Sequence, residues 1–242
     1  MATKAPIWEH RGEQKRLAVQ QMFAEIAPSY DRVNGIMSLS LHRCWREAAV
    51  AYLQLSEGAT VIDLCSGTGD FAAPLRRAVG PTGRVIATDF CLPMLEQADR
   101  KGESNLCATG DATRLPLASQ VCEGVTVGWG IRNVPDIDAA HREAFRILSP
   151  GGAFVSLDMA IPQNAVVRRI SHFLFSTVVP TLGRLIGRAE AYRYLPESTE
   201  RFMTREQLVD SMQRAGFTEI VWKDFMFGNI CLHFGRKPAV RA

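Results

Sequence analysis

Apolar residues fall in short runs bounded by glycine, proline and polar residues. "VIDLC" (61–65), "GRVIATD" (83–89), "SNLCATG" (104–110), "EGVTVGWG" (123–130) and "GGAFVSLDM" (151–159) read as strands. Between them the spacing predicts helices over Asp70–Val79, Pro93–Lys101 and Asp138–Leu148. Proline and glycine mark the joints in "VGPTG" and "LSPGG". Strands alternating with helices of about ten residues predict a parallel sheet with crossover helices.

The pattern changes after the fifth strand. Residues 163–196 hold five Arg, one Glu and no Lys or Asp around an apolar centre, "ISHFLFSTVVPTLGRLI". A helix follows over Thr204–Ala215, with Thr204 as its cap and Gln207 three residues on. "FTEIVWKDF" and "GNICLHFG" then predict an antiparallel hairpin. Residues 1–55 read as helical, with Leu17, Val19, Met22, Phe23 and Ile26 as apolar positions. The expectation is one α/β domain over 1–242 with a sheet of about seven strands. Its parts are a helical cap (1–55), a cofactor-binding half (56–160), a helical lid (161–203) and a C-terminal helix and hairpin (204–242). Cap and lid should cover the C-terminal edge of the sheet, where open α/β folds bind ligands.

Composition narrows the function classes. A net charge of +3, with no Lys-rich run, does not point to nucleic acid. The six cysteines form no CxxC and have no His cluster beside them, so buried free thiols are expected and no metal site is. The opening "MATKAPIWEHRGEQK" has no apolar signal core, and no window of about 20 residues is uninterruptedly apolar. A cytoplasmic protein is expected, at most peripheral on a membrane.

The candidate chemistry centres on "LCSGTGDFA" (64–72). Gly67-Thr68-Gly69 followed by Ala72 satisfies GxGxxA, and Asp89 lies 20 residues beyond Gly69, so a dinucleotide and an NAD-dependent oxidoreductase must be weighed. Asp70 argues against pyrophosphate, since it stands where a phosphate would meet the helix N-terminus. Asp63 inside the first strand adds negative charge, and no Tyr-x-x-x-Lys pair is present. S-adenosylmethionine, a sulfonium nucleoside without phosphate, suits these residues better. Asp89 would accept from the ribose hydroxyls and Asp111 from the adenine amino group. Gly67 and Gly69 would let the backbone approach the methionyl part.

Several blocks carry a resemblance: "MFAEIAPSYDRVNGIMSLSLHRCWR" (22–46), "DLCSGTGD" (63–70), "GDATRLPL" (110–117), "GIRNVPDIDAAHREAFRILSPGG" (130–152) and "YLPESTERF" (194–202). In this order they resemble the UbiE/MenG C-methyltransferases of menaquinone and ubiquinone synthesis, over almost the whole chain. The resemblance implies a Rossmann-like class I fold and S-adenosylmethionine as methyl donor, with Thr68, Asp89, Asp111, Ala112 and Gly128 contacting it. Ser40 departs from the family's Gly in S-x-G-x-H, and Cys122-Glu123 from its Phe-Asp.

The resemblance also implies an acceptor that is a reduced, isoprenoid-tailed quinol, because an electron-poor quinone ring does not attack an electrophilic methyl. The leading acceptor is a demethylated naphthoquinol. The benzoquinol of ubiquinone synthesis is the alternative, and a non-catalytic scaffold is the rival of another class. A phenol with a pKa of about 10 needs a positive charge beside its oxygen. Arg132 is the candidate for that charge, Asn133 for holding the second oxygen, Tyr30 for orientation or proton relay, and His42 for the base. Asp31 and Asn34 lie beside them in the cap, and Tyr192 and Tyr194 are candidates for the entrance. In segment 163–196, Phe173, Leu174, Phe175, Val178 and Val179 would receive the tail or meet the lipid interface. Arg168, Arg169, Arg184 and Arg188 would meet lipid phosphates. The competing reading of that segment is a homodimer interface or the core of a lid.

Overall fold

A computed structural model describes residues 6–185 and 189–239. Seven strands form one sheet in the order β3-β2-β1-β4-β5-β7-β6. They are β1 (Thr60–Leu64), β2 (Arg84–Asp89), β3 (Leu106–Thr109), β4 (Cys122–Gly128), β5 (Leu148–Met159), β6 (Thr218–Phe225) and β7 (Ile230–Arg236). The first five run parallel, while β7 is antiparallel to both β5 and β6. The order reverses between β1 and β4, which opens a crevice at their C-terminal ends. This is the mixed sheet with a closing hairpin that the sequence predicts.

Alternation along the strands feeds two cores. Val61, Val85, Val155 and Leu232 pack with helices α3 (Leu41–Leu53) and α4 (Ala72–Val79) on one face. Ile62, Val125, Val127 and Phe154 pack on the other, against α6 (Ile137–Ile147) and α9 (Arg205–Ala215). Strands covered on both faces lose their polar positions, so they appear in sequence as continuous apolar runs. Several boundaries differ from expectation, among them the starts of β5 and α4. β5 begins at Leu148, which pairs with Cys122 across an irregularity in the ladder. α4 begins at Ala72 and leaves Asp70 in the preceding turn.

Before β1 lie α1 (Gly12–Ile26), α2 (Tyr30–Met37) and α3. Val19, Met22 and Ile26 are buried as their spacing predicts, whereas Leu17 points to solvent. α5 (Leu92–Lys101) follows β2. After β5 come α7 (Ala165–Leu185) and α8 (Ala189–Glu200), packed on each other. The expected cap of α9 is present as a full capping box between Thr204 and Gln207.

Candidate active site

The ends of β1, β2, β3 and β4 converge on a cavity that opens to solvent. Gly67 after β1, Asp89 at the end of β2, Asp111 and Ala112 after β3, and Gly128 at the end of β4 line it. Asp63, Thr68 and Gly69 support this wall from behind and are not part of the lining. Asp63 is fully buried in β1 and accepts a 2.6 Å hydrogen bond from the Thr126 hydroxyl; burial pushes its pKa up to about 7. Gly69 has a φ of +78°, and a Cβ there would fall 2.9 Å from the Ala98 Cβ, so its glycine serves the packing of the turn on α5.

Asp89 is the electrostatic centre of this cavity. Its carboxylate accepts from the Gly67 N–H and the Cys91 N–H, both at 2.8 Å. Burial raises its pKa to about 6 even against those two backbone donors. Asp111 is oriented by Thr113, whose N–H and hydroxyl both donate to one carboxylate oxygen. Between these acids Phe90 and Met94 provide apolar walls, and Arg16 adds a cation paired with Glu13. Sequence reasoning missed Phe90 and Met94. Their signal was position, one directly after the strand-end acid and the other in the first turn of α5.

Neither glycine N–H of the turn is free for a pyrophosphate, because Gly67 donates to Asp89 and Gly69 to the Ser66 carbonyl. The sequence argument from Asp70 needs correction here. Asp70 is no bare charge at a helix mouth, since Lys101 lies 2.8 Å and Arg46 3.3 Å from its oxygens, and these cations hold its pKa down despite its burial. Two acceptor carboxylates, apolar walls and an internally satisfied glycine turn fit a nucleoside with a ribose diol and no phosphate.

A second, larger cavity adjoins the first and shares Phe23, Tyr30 and Trp129 with it. Trp129 has a φ of +54°, an uncommon backbone for a bulky residue, directly after β4. Cys65, directly after β1, is likewise left-handed at φ +51°. The Arg46 guanidinium stacks over the Trp129 ring at 4.6 Å. Arg46, His42, Arg132 and Tyr194 form polar parts of an otherwise mostly apolar wall.

Arg132 is buried and ion-paired with Asp158, and it also donates to the Trp129 carbonyl at 2.9 Å. Asn133 faces the first cavity; it donates to the Trp129 carbonyl and accepts from the Tyr194 hydroxyl at 2.9 Å. Both residues therefore brace the loop after β4 while contributing to the cavity walls. Tyr30 hydrogen-bonds Asn34, and burial raises its phenol pKa. Ser40 has a φ of +60°, the region that favours glycine, which accounts physically for the family's Gly at that position.

On α7, Phe175 lines the second cavity, while Val166, Ile170, Phe173 and Leu174 are exposed along one side of the helix. Arg168 and Arg169 are exposed as well, Arg169 on the flank of that side and Arg168 round the helix beside a further cavity. Among the described residues no helix is long and apolar enough to cross a membrane. Arg188 and the side chains of Val178, Val179, Arg184 and Tyr192 lie outside the described residues. Among the described residues no cluster of His, Cys, Asp and Glu could hold a metal ion.

Residues 9–237 match the model of the ubiE/COQ5 methyltransferase family. A demethylmenaquinone methyltransferase of Lactiplantibacillus plantarum is 39% identical over 228 residues, covering 91% of this chain and 96% of the relative. A 2-phytyl-1,4-naphtoquinone methyltransferase of Thermosynechococcus vestitus is also 39% identical, over 90% of this chain and 99% of its own. Among solved structures, a SAM-dependent methyltransferase of Thermotoga maritima superposes with a TM-score of 0.65 at 22% identity, covering 90% of this chain and 99% of that one. That likeness supports the fold.

Proposed function

Because the chain belongs to the ubiE/COQ5 methyltransferase family, we propose that it methylates a ring carbon of a demethylated, isoprenoid-tailed naphthoquinol, a step of menaquinone synthesis, with S-adenosylmethionine as donor. The observation that carries this reading is the pair of adjoining cavities. One is walled by the strand-end acids, the other is mostly apolar with arginines in its wall, and Phe23, Tyr30 and Trp129 belong to both. The relatives' names favour a naphthoquinol over a benzoquinol, and a methyltransferase over an oxidoreductase or a scaffold.

In this reading Asp89 and Asp111 hold the donor's ribose and adenine, and Gly67, Ala112 and Gly128 keep the wall low. Asp63, Thr68 and Gly69 keep the wall in shape. When bound, S-adenosylmethionine supplies an electrophilic methyl group. The chain's task is to make the acceptor ring a nucleophile and to hold it in line. Arg132 lowers the cost of a phenolate oxygen electrostatically; as a guanidinium it stays protonated and is no base. Asp158 holds Arg132 at the cavity wall, and Asn133 and Tyr194 fix the loop that carries it. Tyr30, with its raised pKa, keeps its proton and orients.

We extend the reading to a membrane surface, met peripherally by a protein working on the cytoplasmic side. The exposed apolar side of α7 with Arg168 and Arg169 supports such contact for a lipid-tailed acceptor. A homodimer seated on the same face is the second reading of that surface. The deciding experiment for the reaction is incubation with labelled methyl donor and chemically reduced demethylmenaquinone, followed by mass analysis. The expected product carries one added ring methyl, and oxidised quinone should give none.

A further inference from the structure

We propose that His42 donates a hydrogen bond from Nε2 to an oxygen of the acceptor, with Arg46 locking the tautomer, and that it is not the base of the reaction. This rests on the reading of the larger cavity as the acceptor site.

The argument begins with what each group can do. The Arg46 guanidinium contacts His42 Nδ1. A guanidinium has five donors, no acceptor, and keeps its charge in proteins. Nδ1 is therefore the accepting nitrogen, and the neutral ring carries its proton on Nε2. Arg46 is itself held in place. It stacks on Trp129, stands 3.3 Å from Asp70 Oδ2 and donates to the His42 carbonyl at 3.3 Å. The pair sits at i and i+4 on α3, so the backbone fixes the reach between them.

The other nitrogen is the informative one. His42 Nε2 is buried and has no hydrogen-bond partner within the protein. An unsatisfied buried donor is costly, and such groups in native structures call for an explanation. His42 belongs to the wall of the larger cavity, together with Arg132. A quinol oxygen there would satisfy the orphaned N–H, and the bond would strengthen as that oxygen gains negative charge.

A base needs its lone pair at the atom that meets the substrate. Here the lone pair is on Nδ1 and is already engaged by Arg46. The surrounding charges agree with a neutral ring. Burial, Arg46 and Arg43 lower the His42 pKa, against the opposing pull of Asp70, whose Oδ2 lies 3.8 Å from Nδ1, and of Asp31.

The test uses the full chain, S-adenosylmethionine and a reduced naphthohydroquinone. Glutamine places an amide N–H near Nε2 but has no basic nitrogen, and phenylalanine has neither. We expect His42→Phe to lower kcat about ten- to a hundred-fold, with His42→Gln recovering most of the loss. The affinity of both for S-adenosylhomocysteine should stay at the wild-type level, which reports an intact fold. Nitrogen NMR of histidine-labelled protein should read His42 as the Nε2–H tautomer, and its Nε2 signal should move when the hydroquinone is added. An Nδ1–H tautomer, full turnover by His42→Phe, or a His42→Gln variant as inactive as His42→Phe would each overturn the assignment. Failure of the wild type to methylate any reduced quinol would instead overturn the reading of the cavity, while the tautomer is read without turnover.

Discussion

Thr68 of the glycine turn donates a hydrogen bond to Asp31 of the helical cap, and the other oxygen of that carboxylate lies 2.7 Å from Lys101 Nζ. Lys101 also binds Asp70, so one lysine at the end of α5 ties the cap to the turn beneath both cavities. The cap is thus held by a small charged cluster as well as by the apolar contacts of Ile26 and Ala27 with Met94. Asp31→Ala should loosen α1 and α2 and leave the sheet intact. Because the Asp31–Lys101 pair is partly exposed, the cost in stability should be about 1 kcal/mol. Hydrogen exchange should rise over residues 12–37 but not in β1 or β4, and KM for the acceptor should rise more than kcat falls.

Asp89 provides a sharper test of the cofactor site. Its folded pKa is about 6, and a ribose diol needs the carboxylate as acceptor. Protonation turns one oxygen into a donor, so nucleoside binding should weaken as pH falls through about 6. Calorimetry with S-adenosylhomocysteine should show up to about a tenfold loss per pH unit below that point. Asp89→Ala should weaken binding about a hundredfold at pH 8, by removing two charged hydrogen bonds, and should flatten the pH dependence. Tight NADH binding by the wild type would contradict the whole assignment.

Much of this site was legible in the chain, and the reasons differ by residue. Asp89, Asp111 and the glycine turn fall at strand ends, where topology alone puts them on one edge of the sheet. Asp70 shows its charge in the sequence, but its partners Arg46 and Lys101 come from α3 and α5, and no local pattern joins them. The same holds for Arg132 and Asp158, 26 residues apart and brought together by neighbouring strands. Trp129 shows the limit most clearly. Its place between the cavities depends on a left-handed backbone that the sequence does not announce. Long-range pairing decides which charges are spent on structure and which face a ligand.

The Arg132–Asp158 pair is buried, so single substitutions confound stability with catalysis. Arg132→Leu leaves Asp158 without its partner and should cost about 3–5 kcal/mol. The double variant Arg132→Leu/Asp158→Leu removes both charges and should recover most of that loss in thermal melts. If Arg132 acts electrostatically on the acceptor, the double variant should bind S-adenosylhomocysteine normally and still turn over at least about a hundredfold more slowly. Recovery of turnover along with Tm would reduce Arg132 to a structural role.

The exposed side of α7 makes a prediction about lipid. Val166 and Phe173 are 68% and 64% exposed. If that side meets a bilayer, flotation should show binding to anionic vesicles that fades with salt, because Arg168 and Arg169 contribute by screened attraction. Phe173→Ser should weaken binding at all salt concentrations, and Arg168→Gln/Arg169→Gln chiefly at low salt. Should the protein stay with the unbound fraction at low salt yet sediment as a dimer that Phe173→Ser dissociates, the face belongs to a second copy.

Two histidines away from both cavities weaken the fold at acid pH. His141 on α6 and His233 on β7 are buried, and burial lowers each pKa to about 4. His141 Nδ1 meets the Ser211 hydroxyl at 2.7 Å, and Ser211 donates onward to Asp138. Around the pair stand Asp138 and Arg214 near His141, and Arg205, Asp224 and Glu206 near His233. The unfolded chain protonates both rings near pH 6.5, and the folded chain does so only near 4. Between these values the unfolded state binds more protons, so stability falls as pH drops through that window and is unaffected by these groups above it. Each ring contributes about 3 kcal/mol to that loss when the window is fully crossed. Asp63 and Asp89, whose folded pKa values of about 7 and about 6 stand above the ordinary carboxylate range, take up protons in the folded chain over the same range and offset this loss. The histidine contribution is therefore read as the difference in Tm between wild type and a histidine variant in melts from pH 7.5 to 4. His141→Gln, which keeps polar atoms but cannot charge, should gain Tm relative to wild type as pH falls from about 6.5 to 4; a difference that does not change with pH would mean that the ring is already solvated in the folded protein.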